Sequence, residues 1–297
     1  MAPNKQESRA AGRVIAHYGL RVHIRTDEGV VEWKPPRRET WVVGDMVVFQ
    51  DGRPKTILPR KTELARLSFS GASQVLASNL TKMVIVTAAG PAFKPGLIDR
   101  FCVAASHAGL SASIALNKID LPGAEEFAAA ARRFEKWGIE VNAVSVRTGE
   151  GLNGLAESLR GHVSVMVGQS GVGKTSILNH IAGGAARAVS EVNEKTGAGK
   201  HTTTVSILVE LPCGGALIDS PGIRQFVPSG LEPRDVADHF PGFEKLRGGC
   251  KFRDCLHTAE PGCAVRDAVK QGALDDERYQ SYIRLLESVK QHSEPEW

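Results

Sequence analysis

The sequence lacks any long apolar run. Although 42% of its 297 residues are hydrophobic, no stretch approaches the roughly 20 apolar residues of a membrane-spanning helix. It also lacks a signal-like start, because Met1-Ala2-Pro3-Asn4-Lys5-Gln6-Glu7-Ser8-Arg9 is polar. Cysteine is scarce and odd in number, five in all, which argues against a disulfide-stapled scaffold. Three of the five cluster late in the chain, which points to metal instead. A cytoplasmic, monomeric protein with no membrane partner is expected.

Net charge is small, +4, but unevenly placed. Residues 1–66 carry thirteen Lys and Arg against eight Asp and Glu, whereas the rest carry 24 against 25. A polyanionic partner such as nucleic acid is therefore plausible at the N-terminal end, alongside the plainer reading of a solvated basic surface. After a polar tail, short alternating runs follow: 13–16, 20–25, 30–33, 41–43, 46–49 and 55–58. Gly, Asp and Pro separate them, and such a series predicts a small barrel of the OB type. Arg21, His23 and Arg25 share one strand face, the kind that contacts nucleic acid on such barrels. Few aromatics accompany them, so base stacking is not supported, and Trp33 and Phe49 are expected in the core. Residues 59–63 read as a linker.

From residue 82 the pattern changes to buried strands alternating with helices. Lys82 to Ala88, Ala112 to Leu116, Val141 to Val144 and Val163 to Val167 are strand-like. Leu97, Ile98, Phe101, Ala104, Ala105 and Ala108 lie on one helix face, and Glu125 to Trp137 and Leu152 to Leu159 read as further helices. This alternation predicts a doubly wound α/β domain.

Gly168-Gln169-Ser170-Gly171-Val172-Gly173-Lys174-Thr175 fits the phosphate-binding loop G-x-x-x-x-G-K-[ST], between a strand and a helix that starts with Ser176. Its glycines let backbone N–H groups turn toward phosphate oxygens. Lys174 is expected on the β- and γ-phosphates and Thr175 on Mg²⁺. Asn117-Lys118-Ile119-Asp120 ends another strand. A carboxylate at Asp120 accepts from N1–H and the 2-amino group of guanine, whereas adenine offers it a lone pair. The Ser145-Val146 loop stands where a backbone N–H meets the guanine O6. After the P-loop, Glu191 to His201 is polar and ends in Thr202-Thr203-Thr204, a switch in which Thr203 is the chosen Mg²⁺ ligand. A hairpin over 205–218 then leads to Asp219-Ser220-Pro221-Gly222, with Asp219 on Mg²⁺ through water and Gly222 N–H on the γ-phosphate. GTP or GDP with Mg²⁺ is the implied cofactor pair. These motifs are rotated: the guanine motifs precede the P-loop, as a circular permutation produces.

Cys250, Cys255, His257 and Cys263 form a Cys3His set suited to one closed structural Zn²⁺ site. Cys102 and Cys213 carry no such pattern. Helices over 264–270 and 275–289 complete a small zinc-stapled helical module. The expected fold is thus multi-domain: an N-terminal β-barrel (OB-fold) over 1–66, a circularly permuted α/β P-loop GTPase domain over 67–228, and a C-terminal zinc-binding helical domain over 229–297.

On these motifs, their rotated order and the zinc spacing, the sequence resembles the ribosome small subunit-dependent GTPases of the RsgA (YjeQ) family along nearly its whole length. The resemblance implies a GTPase that binds the small ribosomal subunit (rRNA), acts late in its maturation and is stimulated by it. The segment Glu194 to Lys200 is longer than the family's usual pattern. Where many GTPases place a water-orienting Gln, this chain has Ile223, which cannot hydrogen-bond water. His201 is the nearest candidate for that catalytic role, with a plain loop residue as the alternative. Rival readings are a static nucleotide in an RNA-binding module, a P-loop ATPase or kinase, and a switch with a protein partner.

Overall fold

The computed structural model describes residues 11–67, 73–183, 206–219 and 229–293. Five short strands open the chain: β1 (Ala11–His17), β2 (Val22–Thr26), β3 (Gly29–Trp33), β4 (Met46–Gln50) and β5 (Arg53–Ile57). Central β1 pairs antiparallel with both β2 and β4, and β4 with β5, the connectivity of an OB barrel. Alternation places Val14, Val22, Ile24 and Val47 inside with Trp41. Trp33 and Phe49 pack against this cluster but stay half-buried; Trp41, at 2% exposure, is the tryptophan that fills the barrel. The run 41–43 forms no strand and contributes one isolated bridge, Val43 to Ala77.

Residues 59–63 are not a free linker. Arg60 forks onto the fully buried Asp45, with Nε 2.7 Å from Oδ1 and Nη2 3.0 Å from Oδ2. Asp45 also accepts from Val42 N (2.8 Å) and Ser78 Oγ (2.6 Å). Beyond Arg60, β6 (Glu63–Leu67) and β7 (Ser73–Ser78) form an antiparallel pair that the sequence pattern did not announce.

The α/β layer follows: β8 (Lys82–Ala88), α1 (Pro95–His107), β9 (Ser111–Asn117), α2 (Ala124–Arg132), β10 (Glu140–Ala143), α3 (Leu152–Glu157), β11 (Val163–Val167), α4 (Lys174–Ile181), β12 (Ser206–Leu211) and β13 (Gly215–Asp219). The helix expected over 125–137 divides, its last turn Arg133–Trp137 tightening to 3-10. Strand order is β10-β9-β8-β11-β13-β12. All neighbours are parallel except β12, which is antiparallel to β13. Every residue of β8 is buried, as a parallel strand covered on both faces must be. Connections run outward in opposite directions from β8 and β11, so the chain reverses between them, and loops at the carboxyl ends open onto that crevice.

Two connections bind this layer to the rest. Ala16 and His17 of β1 pair with Ile207 and Ser206 of β12, so the barrel continues the same sheet and covers its edge. On the other side lie α5 (Val236–His239), α6 (Glu244–Arg247), α7 (Ala264–Lys270) and α8 (Asp276–Ser293). Arg278 of α8 donates to Asp99 Oδ1 and to the Pro241 carbonyl, each at 2.7 Å, and its guanidinium stacks 3.6 Å from the Trp137 ring. No helix among the described residues is long and apolar enough to cross a membrane.

Replacing Asp45 with Ala would leave Arg60, Ser78 and the Val42 amide without their shared acceptor. A buried ion pair broken on one side costs about 3 kcal/mol or more. Asp45→Ala is therefore expected to lower the denaturation midpoint of the barrel in urea. An unchanged midpoint would contradict this account.

Candidate functional site

The carboxyl ends of β9, β10, β11 and β13 bring the motif loops to one edge of the sheet. Asn117 is the last residue of β9 and is 3% exposed. Its Nδ2 donates to the Val172 carbonyl (2.8 Å), and its Oδ1 accepts from Val146 N (3.3 Å). One amide thus ties the P-loop to the Ser145 loop. Lys118, held at φ 64°, donates to the Gly171 carbonyl at 3.0 Å. Asp120 accepts from Ser145 Oγ at 2.5 Å and from Arg147 Nε at 2.7 Å. The Ser145 hydrogen bond, helped by the Arg147 charge, holds its carboxyl below the usual range, so it is an anion at neutral pH.

The P-loop takes its shape from glycines that no larger residue can replace. Gly168 sits at φ 141°, where a Cβ would collide with the Val86 carbonyl oxygen of β8. Gly173 sits at φ 101°, where a Cβ would collide with Asn117 Nδ2. Lys174 Nζ lies inside the loop, donating to the carbonyls of Gly168 (2.8 Å) and Gln169 (2.7 Å). Ser170, Thr175 and Ser176 are exposed at the mouth, the last two in the first turn of α4. Asp219 ends β13 beside β11, in register with Met166. Burial pushes its carboxyl up, and the nearby Lys174 charge pulls it down. His201, Thr203 and Gly222, with Ile223, lie outside the described residues.

Motif spacing does not single out Arg147, although it stands two residues beyond Ser145 in the same loop. The basic face expected on the barrel is also different in structure. Arg21 and His23 pair with Glu32 on the neighbouring strand, and Arg25 pairs with Glu210 of β12. Glu32 lies on the adjacent β3 and Glu210 two strands away on β12, placements that alternation along one strand does not reveal.

The four candidate zinc ligands converge. Their ligand atoms all lie within 4.8 Å of one another. His257 Nδ1 is 3.5 Å from Cys250 Sγ and 3.4 Å from Cys263 Sγ. A tetrahedral Zn²⁺ with bonds near 2.3 Å to sulfur and 2.0 Å to nitrogen separates S and N ligand atoms by about 3.5 Å. The donor set and its spacing therefore fit that ion. The scaffold around it is built: Tyr279 Oη donates to His257 O at 2.7 Å and Tyr282 Oη to Leu256 O at 2.9 Å. Glu260 accepts from the amides of Leu256, Thr258 and Ala259. Burial opposes its ionisation, but these amides outweigh it and hold the carboxyl at about 2. Cys102 is buried in the core and Cys213 is half-buried at the β12–β13 turn, both away from this cluster.

A model of the RsgA GTPase family matches residues 57–228. A small ribosomal subunit biogenesis GTPase RsgA from Azotobacter vinelandii is 40% identical over 96% of this chain and 87% of its own length. The chain belongs to the RsgA GTPase family. A relative of the same name from Haemophilus influenzae is 37% identical over 94% of this chain and 85% of its own length. Among solved structures, YjeQ from Thermotoga maritima superposes with a TM-score of 0.75, covering 95% of this chain and 98% of that one at 26% identity. YloQ, described as a circularly permuted GTPase, shares the fold with a TM-score of 0.74 at 23% identity, covering all of both chains. Membership in the RsgA family makes the chain a GTP hydrolase with the motif order of a permuted domain.

In Asp120→Asn, the amide offers one donor where guanine needs a second acceptor, so GTP affinity is expected to fall about 100-fold. Xanthosine triphosphate, with a carbonyl at C2, is expected to gain affinity; competition against a fluorescent nucleotide reads both, and unaltered GTP affinity would contradict the pairing. At the metal cluster, burial pushes the Cys255 thiol up to about 12, so without metal it is protonated at neutral pH. Zinc uptake must release protons, and affinity should rise between about pH 6 and pH 8 in a chelator competition. A flat profile would argue against thiolate ligation.

Proposed function

We propose that this chain is a GTPase of small ribosomal subunit biogenesis, binding the subunit through rRNA as a cytoplasmic monomer and hydrolysing GTP faster when bound, late in subunit maturation. Support for the partner comes from relatives that carry the name small ribosomal subunit biogenesis GTPase along most of this chain. The observation that carries the nucleotide reading is the bridge made by Asn117 between the Val172 carbonyl and the Val146 amide. It sets Asp120 and the P-loop at fixed spacing, as recognition of one nucleotide at both base and phosphates requires.

In this reading Asp120 accepts from the guanine edge while Ser145 orients it, and the Val146 loop faces the base. Asn117 and Lys118 brace the P-loop from the side. Backbone N–H groups of Gly168 to Ser176 surround the phosphates, and Lys174 turns from the Gly168 and Gln169 carbonyls to phosphate oxygens. Thr175, Thr203 and Asp219 are the residues assigned to Mg²⁺, which supplies charge neutralisation on the β- and γ-phosphates when bound. The exposed Thr175 hydroxyl and the Asp219 carboxyl beside Lys174 suit that assignment. Gly222 is assigned to the γ-phosphate and His201 to the attacking water. Cys250, Cys255, His257 and Cys263 are assigned to one structural Zn²⁺, which would staple the C-terminal helices. The proposed units are 1–66, 67–228 and 229–297.

Phosphate release from GTP, with and without purified small subunits and with ATP as a control, tests the proposal. Slow release that rises many-fold with subunits, and none from ATP, is expected. Release that subunits leave unchanged would remove the ribosome from the reading. In the same assay, His201→Ala is expected to lose the stimulated rate while keeping GTP affinity; full stimulation would end its catalytic assignment.

A further inference from the structure

A groove of about 620 Å³ runs between the end of α2 with its 3-10 turn and the C-terminal helices, away from the P-loop. It is some twenty times the ~30 Å³ share of one water and within the range of ligand sites. Four exposed cations line it: Arg133 and Lys136 from the 3-10 turn, Lys245 from α6 and Arg284 from α8. None of the four makes an ion pair or a side-chain hydrogen bond among the described residues. The acidic groups lining the groove are engaged or outnumbered. Asp99 is paired with Arg278, which leaves Asp275 and Glu277 against four unpaired cations.

The floor of the groove is polar. Asp99, Arg278 and Ser281 are 1%, 9% and 5% exposed and line the groove. Asp99 Oδ2, Arg278 Nε and Ser281 Oγ have no hydrogen-bond partner of ordinary geometry, although Ser281 lies beside the Asp99 carboxyl. Buried polar atoms are ordinarily partnered. These three groups make a polar floor beneath the groove. Arg278 already stacks on Trp137, whose half-buried ring borders the same groove.

We propose that this groove binds the phosphodiester backbone of an RNA strand, with cations from the α/β layer and from the C-terminal helices gripping it together. The shared chemistry is the phosphate oxygen. A strand carrying one charge per residue matches four separated cations better than a compact anion does, and Arg and Lys are the usual partners of backbone phosphates. The inference rests on the proposed rRNA partner and adds an RNA-binding surface apart from the barrel. Because both sets of helices contribute, RNA bound here would hold the zinc-bearing helices against α1 and α2.

The test uses the full chain and a fluorescein-labelled decauridylate, read by anisotropy over a salt series. Arg133→Ala/Lys136→Ala and Lys245→Ala/Arg284→Ala are compared with the unaltered protein. Each double variant is expected to bind the RNA about tenfold more weakly in low salt. Each should also flatten the slope of log affinity against log salt by about 1.4, the value for two single-strand phosphates no longer neutralised. GDP binding and subunit-free GTP turnover should stay unchanged, which shows that both variants fold. Unchanged RNA affinity and slope in both variants would overturn the proposal. Calorimetry with inorganic pyrophosphate separates the sources: lost pyrophosphate binding with unchanged RNA binding overturns the strand reading in favour of a small phosphorylated molecule. Subunit-stimulated turnover of the unaltered protein is measured separately. Its absence would sink the ribosomal reading while leaving the decauridylate result readable.

Discussion

The edge of the sheet that carries the sequence motifs depends on one buried amide. Asn117 leaves the sheet at the end of β9, and its two polar atoms bind different loops, one after β11 and one after β10. This arrangement is possible because Gly173 has no Cβ to fill the same space. Gly168 meets the same constraint on its other side against β8. Sheet order decides this. β11 lies beside β8, and β8 beside β9, so the P-loop and the guanine motif are separated by one strand although some fifty residues apart in the chain. A buried amide that lost either partner would leave a desolvated donor or acceptor, at a cost of about 1–3 kcal/mol.

Around that edge the molecule is braced at both ends by buried or bridging charges. Asp45 gathers Arg60 and Ser78 where the barrel meets the α/β layer. Asp99 receives Arg278 where the C-terminal helices dock. Between them, β12 joins β1 of the barrel while its partner β13 ends in Asp219. The strand pair leading to the D-x-P-G segment is therefore mechanically continuous with the barrel. Beyond that segment, Ser229 donates its amide to Ala65 O in β6, and its carbonyl lies 3.3 Å from His107 Nε2 at the end of α1.

The motifs themselves were legible because they are local. The P-loop needs consecutive residues, N-K-x-D needs four, and the zinc ligands fall within fourteen positions, Cys250 to Cys263. Buried parallel strands were legible because all residues of β8 are apolar or covered. The hairpin of β6 and β7 was not, because its strands mix Glu, Arg, Ser and Gln with apolar residues and bury little. Arg60 looked like part of a linker because the acid that fixes it is fifteen residues earlier. The cations of β2 looked available because Glu32 and Glu210 face them from other strands.

By itself the sequence determined the family: its motifs, the rotated order in which they occur, and the spacing of the Cys3His set. Those properties reside in side-chain type and short spacing, which folding does not alter. Tertiary structure alone decided which charges remain free. It paired Arg21 and Arg25 with carboxylates, tied Arg60 to Asp45, buried Arg278, and left Arg133, Lys136, Lys245 and Arg284 around one groove. Pairing depends on distances of a few ångströms between residues as many as 185 positions apart, such as Arg25 and Glu210. Only the packed chain sets such distances.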